Sequence, residues 1–383
     1  MKLQEALSVF LLPFVLAQDG AQVPITALPL GPLHSVPLTS VYAISDTQHT
    51  SLSASSTTTP PATQTVTVPP NTPSIFTLIP VPSDSPVLPS YPETDPLDPL
   101  PVGSLAIPDF GPAWSAAWAK AKPKEKVSVV TGVGWQGGVC IGSIAPIEPI
   151  DGRGWPGLCL EDSPLGVRLA DYVTAFPAGI NAAASFNRHL MRRRGLYIGR
   201  EHVGKGVNIA LGPMMNMVRV PQAGRNWESF GADPFLAGEA AYETILGMQE
   251  GGVIACAKHY VGNEQENKRL MSSSNIDDRT LHEIYTHPFL KSVMAGVGSV
   301  MCSYNGLNGT FACENDKVLN DILKREYGFQ SFITSDWMAQ HASMAANAGL
   351  DMTMPGDITF GSGTSYWGAN LTAFVSNGTI SES

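Results

Sequence analysis

From about residue 125 onward, short apolar runs alternate with longer stretches whose apolar residues recur at helical spacing. Such short runs are typical of buried strands, and the longer stretches are typical of amphipathic helices. The predicted strands span residues 127–131, 207–211, 253–259, 299–304, 332–335 and 350–354. The predicted helices span residues 184–202, 234–250, 279–295, 316–327 and 340–348.

Regular alternation of strands and helices indicates parallel βαβ units. Polar residues follow nearly every predicted strand, which favours a closed barrel over an open sheet, because all carboxyl ends of barrel strands face one mouth. The predicted fold class is therefore α/β, a (β/α)8 TIM-barrel-like domain.

The residues at the predicted mouth combine carboxylates, basic groups and aromatic rings. Carboxylates and cations bind hydroxyl groups through charge-assisted hydrogen bonds, and a Trp ring packs on the apolar face of a sugar. The sequence thus predicts a carbohydrate site. Its candidate segments are Glu161-Asp162, 224–226, Lys258-His259, 263–266, Met301, Tyr304-Asn305 and 335–337.

The net charge of −10 is unevenly distributed. Residues 3–119 contain no Lys or Arg, whereas the remainder is nearly balanced. The acidic excess argues against a nucleic-acid partner, and the lack of a glycine-rich phosphate motif argues against a nucleotide enzyme. No metal or cofactor site is predicted, and no segment after residue 17 is apolar enough for a membrane span.

The N-terminal third differs in composition from the rest. Residues 1–17 contain Lys2 and an apolar run, the pattern of a secretory signal peptide, with a buried helix as the alternative. Residues 18–104 are predicted to form a disordered Ser/Thr/Pro-rich linker or glycosylated stalk, with a small binding module as the alternative. The folded domain is assigned to 105–383, and the protein is expected to be secreted and extracellular.

Five cysteines are present. In an oxidising compartment, Cys140 is expected to pair with Cys159 and Cys302 with Cys313, which leaves Cys256 as a buried free thiol. Three N-glycosylation sequons begin at Asn308, Asn370 and Asn377, and they fit the same extracellular location.

Residues 125–380 resemble glycoside hydrolase family 3, the secreted fungal β-glucosidases in particular. The resemblance depends on several motifs in order. They are WPGLCLEDSPLGVR (155–168), GVNIALGPMMNMVRVPQAGRNWESFGADPFLAGE (206–239), AKHYVGNEQE (257–266), MCSYNGLNGTFAC (301–313), ITSDW (333–337) and AGLDMTMPGD (348–357).

The resemblance implies retaining hydrolysis of terminal β-D-glucosyl residues, with cellobiose and short β-glucans as substrates and β-glucoside oligosaccharides as ligands. It makes Asp336 the nucleophile. Arg269 is matched to a family arginine, although Asn267 and Lys268 before it depart from the usual pair. The residues expected to bind glucose are Asp162, Arg168, Arg225, Lys258, His259, Arg269, Met301, Tyr304 and Trp337.

Four glutamates near these positions, Glu161, Glu228, Glu264 and Glu266, are predicted to be structural partners of backbone groups or arginines. The family's acid/base glutamate comes from a second domain, so none is expected in this chain, whose barrel domain is expected to be incomplete at its C-terminus. A related branch uses a His-Asp dyad, but 257–267 lacks its Pro-Gly-His pattern. Two alternatives follow: a short chain that binds glucosides with weak turnover, and a cell-wall stalk protein.

Overall fold

The computed structural model describes residues 119–135, 138–150 and 153–381. The predicted signal peptide, the predicted Ser/Thr/Pro-rich linker and residues 105–118 of the predicted barrel domain lie outside the described residues. Within the part of the chain that the structure describes, none of the helices has the length and apolarity that a membrane crossing requires.

The helices alternate with the strands over most of the domain. The α-helices are α1 (Pro123–Val129), α2 (Gly179–Ala184), α3 (Arg188–Gly204), α4 (Pro234–Glu250), α5 (His287–Met294) and α6 (Ala369–Ser376). A short helical turn at Asp278–Thr280 continues as the π-helical segment Leu281–Tyr285, and Lys317–Glu326 is also π-helical. Single 3₁₀ turns lie at Pro221–Ala223, Asn226–Glu228, Ala312–Glu314 and Ser343–Ala346.

The strands form one six-stranded sheet and two small ribbons, with the order β1-β4-β5-β6-β8-β11 in the large sheet. The strands are β1 (Gly142–Ile144), β2 (Ile147–Ile150), β3 (Arg153–Trp155), β4 (Leu158–Asp162), β5 (Ile209–Leu211), β6 (Ile254–Tyr260), β7 (Ser273–Ser274), β8 (Ser299–Cys302), β9 (Gly306–Leu307), β10 (Thr310–Phe311) and β11 (Phe332–Ser335).

The large sheet curves into a barrel-like ring. Strands β4, β5, β6, β8 and β11 are parallel in that order, whereas β1 runs antiparallel to β4. Beyond β11 the ring continues through two single-residue parallel bridges, Thr334 to Met352 and Thr353 to Thr131, which we call the seam. The Val133 amide then donates to the Ser143 carbonyl of β1 over 3.1 Å.

The structure thus has a TIM-barrel-like α/β fold but departs from a regular (β/α)8 barrel. One ring member is antiparallel, and two are single bridges rather than strands. The strand predicted at 127–131 is wrong, because Pro123 begins a helix there and the Glu125 carboxylate accepts from the Lys122 amide at its start. The helix predicted at 340–348 is also wrong, since only the turn Ser343–Ala346 forms.

Side chains alternate along the strands between two apolar clusters. Leu160, Ile209 and Phe332 belong to one buried cluster inside the ring, whereas Ala210 and Ile333, one position along, belong to the cluster beneath the helices. On the same face, Asp162 lies two residues beyond Leu160, and Asp336 lies four residues beyond Phe332, past Thr334. The period of two therefore directs both carboxylates to the mouth of the ring.

Helices α3 and α4 pack closely against each other. Asn187 caps α3 by accepting from the Leu190 amide, and Asp233 caps α4 by accepting from the Leu236 amide. Glycines at the contact allow the approach: a Cβ added at Gly247 would lie 2.1 Å from the Arg192 carbonyl oxygen. The outer layer on this side of the barrel depends on that small residue.

Two disulfides, Cys140–Cys159 and Cys302–Cys313, are present, and Cys256 is a buried free thiol. Burial raises the pKa of Cys256 to about 12, which keeps the thiol protonated and unreactive.

Candidate active site

A cavity of about 850 Å³ opens at the carboxyl ends of the parallel strands. All ten residues that the sequence predicts as catalytic or glucose-binding line it. They are Asp162, Arg168, Arg225, Lys258, His259, Arg269, Met301, Tyr304, Asp336 and Trp337. Four different strands contribute to the site, since β4, β6, β8 and the end of β11 all reach this mouth.

Asp336 follows β11 and is only 7% exposed. Its Oδ1 accepts from the Trp337 amide over 2.7 Å, and its own amide donates to the Cys302 carbonyl over 3.1 Å. Burial raises the pKa of the Asp336 carboxyl, while Arg225 and the Tyr304 hydroxyl oppose that shift. The result is a carboxylate fixed in direction, desolvated and close to positive charge, which suits a nucleophile.

Asp162 ends β4 and joins two cations. Its Oδ2 accepts from Arg168 Nη1 over 2.6 Å, and its Oδ1 lies 3.4 Å from Lys258 Nζ. Burial alone would raise the pKa of Asp162, but Lys258 and Arg168 outweigh burial and lower it. Asp162 is therefore ionised at neutral pH, and this cluster can accept from and donate to neighbouring hydroxyl groups.

A second charged group lies beside this cluster. Arg225 forms a bidentate pair with Glu228, with Nε to Oε1 at 2.7 Å and Nη2 to Oε2 at 3.1 Å. Glu266 Oε2 accepts from Arg269 Nη1 over 2.5 Å, and the Arg269 guanidinium stacks 4.2 Å from the centre of the Tyr304 ring. Glu228 and Glu266 thus hold arginines, in keeping with their predicted structural role.

His259 is held by Asn216, a residue that the sequence analysis missed. Asn216 Oδ1 accepts from the His259 amide over 2.9 Å and lies 3.0 Å from His259 Nδ1. Glu264, predicted to be structural, contacts Asn216 Nδ2 through Oε1 at 3.2 Å. His259 Nε2 lies 3.5 Å from Asp336 Oδ2, at the centre of the site.

The rim of the cavity carries aromatic residues that the sequence analysis also missed. Trp135 and Trp227 line the cavity and are partly exposed, and Trp135 contacts Phe360 edge-to-face with ring centres 5.4 Å apart. An apolar run would not reveal them, because Trp135 lies in a loop and Trp227 lies in the single 3₁₀ turn Asn226–Glu228. No group of three or more metal-ligating side chains occurs among residues 119–135, 138–150 and 153–381.

Glu161 precedes Asp162 and is fully buried. Its Oε1 accepts from the Asp162 amide over 2.9 Å. Burial raises the pKa of Glu161 to about 7, although the Asp162 amide opposes the shift. The protonated form is favoured in the fold, so the stability that Glu161 contributes is present at low pH and is lost as the pH rises through about 7.

Glu161→Gln is therefore expected to stabilise the domain at pH 8 by about 1–2 kcal/mol, after allowance for solvent screening, and to change little at pH 5. Urea unfolding at the two pH values measures this difference. Glu283→Gln, which removes the charge of an exposed carboxylate, serves as the control. An equal effect of Glu161→Gln at both pH values would contradict the raised pKa of Glu161.

This chain resembles known proteins over about 70% of its length. The profile of the glycosyl hydrolase family 3 N-terminal domain matches residues 155–383. A probable β-glucosidase L from Aspergillus terreus is 52% identical over 277 residues, which cover 70% of this chain and 37% of that protein. The chain thus spans little more than a third of the length of this relative.

Solved structures give the same result. The β-glucosidase D2-BGL from Chaetomella raphigera is 51% identical with a TM-score of 0.67, over 70% of this chain and 37% of that one. The β-glucosidase 3B from Thermotoga neapolitana, solved in complex with glucose, is 33% identical with a TM-score of 0.66, over 70% and 40%. Family profile, sequence and fold agree: this chain belongs to glycosyl hydrolase family 3.

Proposed function

We propose that this domain acts in the hydrolysis of terminal, non-reducing β-D-glucosyl residues, with cellobiose and short β-glucans as substrates, and that it does so with retention of configuration. The observation that carries the proposal is that Asp336 lines the cavity without a cationic partner of its own in the described part of the chain. Among the cavity-lining carboxylates of the described residues, Asp162 and Glu228 are paired with cations, whereas Asp336 Oδ2 has no hydrogen-bond donor. The names of the β-glucosidase relatives support the same substrate class.

In the proposed reaction, an Asp336 oxygen attacks the anomeric carbon and the bond to the aglycone oxygen breaks. A general acid gives the aglycone its proton, and water then attacks the same carbon to release glucose and free Asp336. In this proposal Asp162 and Lys258 bind hydroxyl groups of the glucosyl ring, while Arg225 and Lys258 offset the negative charge of the nucleophile. Trp337 beside Asp336 offers an apolar wall.

The proton donor is proposed to lie outside the described cavity-lining carboxylates. Asp162 has a lowered pKa, so it is not suited to give up a proton near neutral pH. Both carboxylate oxygens of Glu228 accept hydrogen bonds from Arg225. A substrate with an activated leaving group avoids this requirement, because the aglycone departs without protonation.

The test is covalent labelling with 2,4-dinitrophenyl 2-deoxy-2-fluoro-β-D-glucoside. The fluorine slows hydrolysis of the intermediate, and dinitrophenolate leaves without an acid, so we expect one fluoroglucosyl group on the peptide that contains Asp336. Asp336→Asn should block labelling, whereas Asp171→Asn, at an exposed position outside the cavity, should label normally. Absence of labelling at saturating reagent, or a label on another residue, would overturn the proposal.

We also propose that the protein is secreted and N-glycosylated. Two disulfides and the exposure of all three sequon asparagines support this location. The Asn308 side chain is exposed and is also hydrogen-bonded to the backbone of Ile276. Its Oδ1 accepts from the Ile276 amide over 2.8 Å, and its Nδ2 donates to the Ile276 carbonyl over 3.0 Å.

A further inference from the structure

The amide of Asn216 has only one orientation that fits its neighbours. Its Oδ1 end faces the backbone amide of His259, which can only donate. Its Nδ2 end faces two acceptors, the His259 carbonyl at 3.1 Å and Glu264 Oε1 at 3.2 Å. Rotating the side-chain amide by 180° would place donor against donor at one end and acceptor against acceptor at the other. These contacts therefore fix which end of the Asn216 amide carries the oxygen.

This orientation determines the proton position on His259. Oδ1 of Asn216 is an acceptor and lies 3.0 Å from Nδ1, so Nδ1 must carry a hydrogen. Burial and the cations Arg225, Lys258 and Arg269 lower the pKa of His259 well below its usual value, so the ring is neutral. A neutral ring with hydrogen on Nδ1 has a lone pair on Nε2.

That lone pair faces the nucleophile. Nε2 lies 3.5 Å from Asp336 Oδ2, and this oxygen has no hydrogen-bond partner among the described residues, although the Tyr304 hydroxyl is close enough to lower the pKa of the Asp336 carboxyl. With hydrogen on Nε2 instead, His259 would donate to Asp336 and stabilise the carboxylate before it attacks. With hydrogen on Nδ1, both atoms are acceptors, and a sugar hydroxyl can supply the hydrogen for Nε2.

We propose that Asn216 is a positioning residue that holds His259 in the Nδ1-protonated form, so that Nε2 accepts from a glucosyl hydroxyl and leaves Asp336 Oδ2 free to attack. Glu264 assists by accepting the second amide hydrogen of Asn216, which prevents rotation of the amide. The catalytic consequence depends on the function proposed above for Asp336, whereas the protonation pattern does not.

The first measurement is the tautomer of His259 in the full chain. The ¹⁵N shifts of protein labelled at its 8 histidines distinguish protonated from unprotonated ring nitrogens, and His259→Gln identifies the resonance. In the unmodified protein we expect hydrogen on Nδ1 and a bare Nε2. This measurement needs no change at Asn216, so it remains decisive even where a variant there fails to fold.

The second measurement compares Asn216→Ala with Asn267→Ala, which alters an exposed asparagine outside the cavity. Loss of the Asn216 acceptor should move hydrogen to Nε2 of His259. Covalent labelling by 2,4-dinitrophenyl 2-deoxy-2-fluoro-β-D-glucoside at saturating reagent should then slow about tenfold, because the new hydrogen bond stabilises the carboxylate. Asn267→Ala should match the unmodified protein in both measurements.

The outcomes separate the two proposals. Normal labelling of Asp336 together with hydrogen on Nε2 in the unmodified protein would overturn the role of Asn216 and leave the proposed function standing. An unchanged tautomer in folded Asn216→Ala would do the same. Failure of the unmodified protein to label would overturn the proposed function, and with it the catalytic consequence, whatever the tautomer.

Discussion

Asp336→Ala is expected to slow release of dinitrophenolate from 2,4-dinitrophenyl β-D-glucoside by about 10⁴-fold or more, because it removes the attacking atom. The leaving group departs without an acid, so the measurement reports on the nucleophile alone. No other carboxylate among those described at the cavity is unpaired, so no described neighbour can substitute for Asp336.

Azide provides the sharper version of this experiment. The alanine leaves space where the carboxylate lay, and a small anion can enter it beside Arg225 and Lys258. We expect azide to restore part of the dinitrophenolate release and to yield α-glucosyl azide, since the anion attacks from the face that Asp336 occupied. Recovery of the β-azide, or no effect of azide on a folded variant, would argue against Asp336 as the nucleophile.

The loss should not reflect unfolding. Burial raises the pKa of Asp336, so the ionised carboxylate costs stability in the fold at neutral pH. Asparagine has the same shape as aspartate but carries no charge, so we expect Asp336→Asn to be at least as stable as the unmodified protein at pH 7. Urea unfolding of Asp336→Asn therefore accompanies the kinetic measurement as its control.

Gly247→Ala is expected to lower the free energy of unfolding by about 3 kcal/mol. The added Cβ would lie 2.1 Å from the Arg192 carbonyl oxygen and 2.8 Å from the Leu196 amide nitrogen. Both contacts are backbone atoms of α3, so no side-chain rotation relieves them and the two helices must separate. Chemical denaturation measures the loss.

Gly204→Ala is the matched control. It is the last residue of α3, and an added Cβ there meets nothing within 4 Å. The same substitution should therefore stabilise the domain slightly, by about 0.5 kcal/mol, through lower backbone entropy of the unfolded chain. Equal effects at Gly204 and Gly247 would show that helix propensity, not helix contact, determines the result.

Periodicity located elements whose apolar runs are unambiguous. The predicted strand 332–335 and the predicted helix 234–250 match β11 and α4 residue for residue. It failed at 350–354, where only Met352 and Thr353 make bridges. An apolar run shows that a segment is buried, but it does not show whether its backbone pairs with neighbours over several residues or at one.

The site likewise contains residues that the sequence predicted and residues that it did not. The motifs contain nine of the ten predicted residues, and Arg269 was matched just beyond one of them. Strand alternation explains why Asp162 and Asp336 reach the same cavity. Asn216 could not be found this way. Its role depends on hydrogen bonds to His259, 43 residues away in sequence, and these arise only from the packing of the loop after β5 against β6. Local patterns contain no information on such contacts.

The seam is expected to be the first part of the barrel to open. Thr353 is held to its neighbour by bonds to Val130 and Gly132, whereas all seven residues of β6 are buried between two strands. Amide hydrogens at the seam are therefore expected to exchange with solvent earlier than those of β6, through sub-global opening. We expect such opening to displace β11 and with it Asp336. Under mild heating the protein should then lose the glucoside binding proposed above while its helical circular dichroism persists, and a bound glucoside should slow exchange at Thr353.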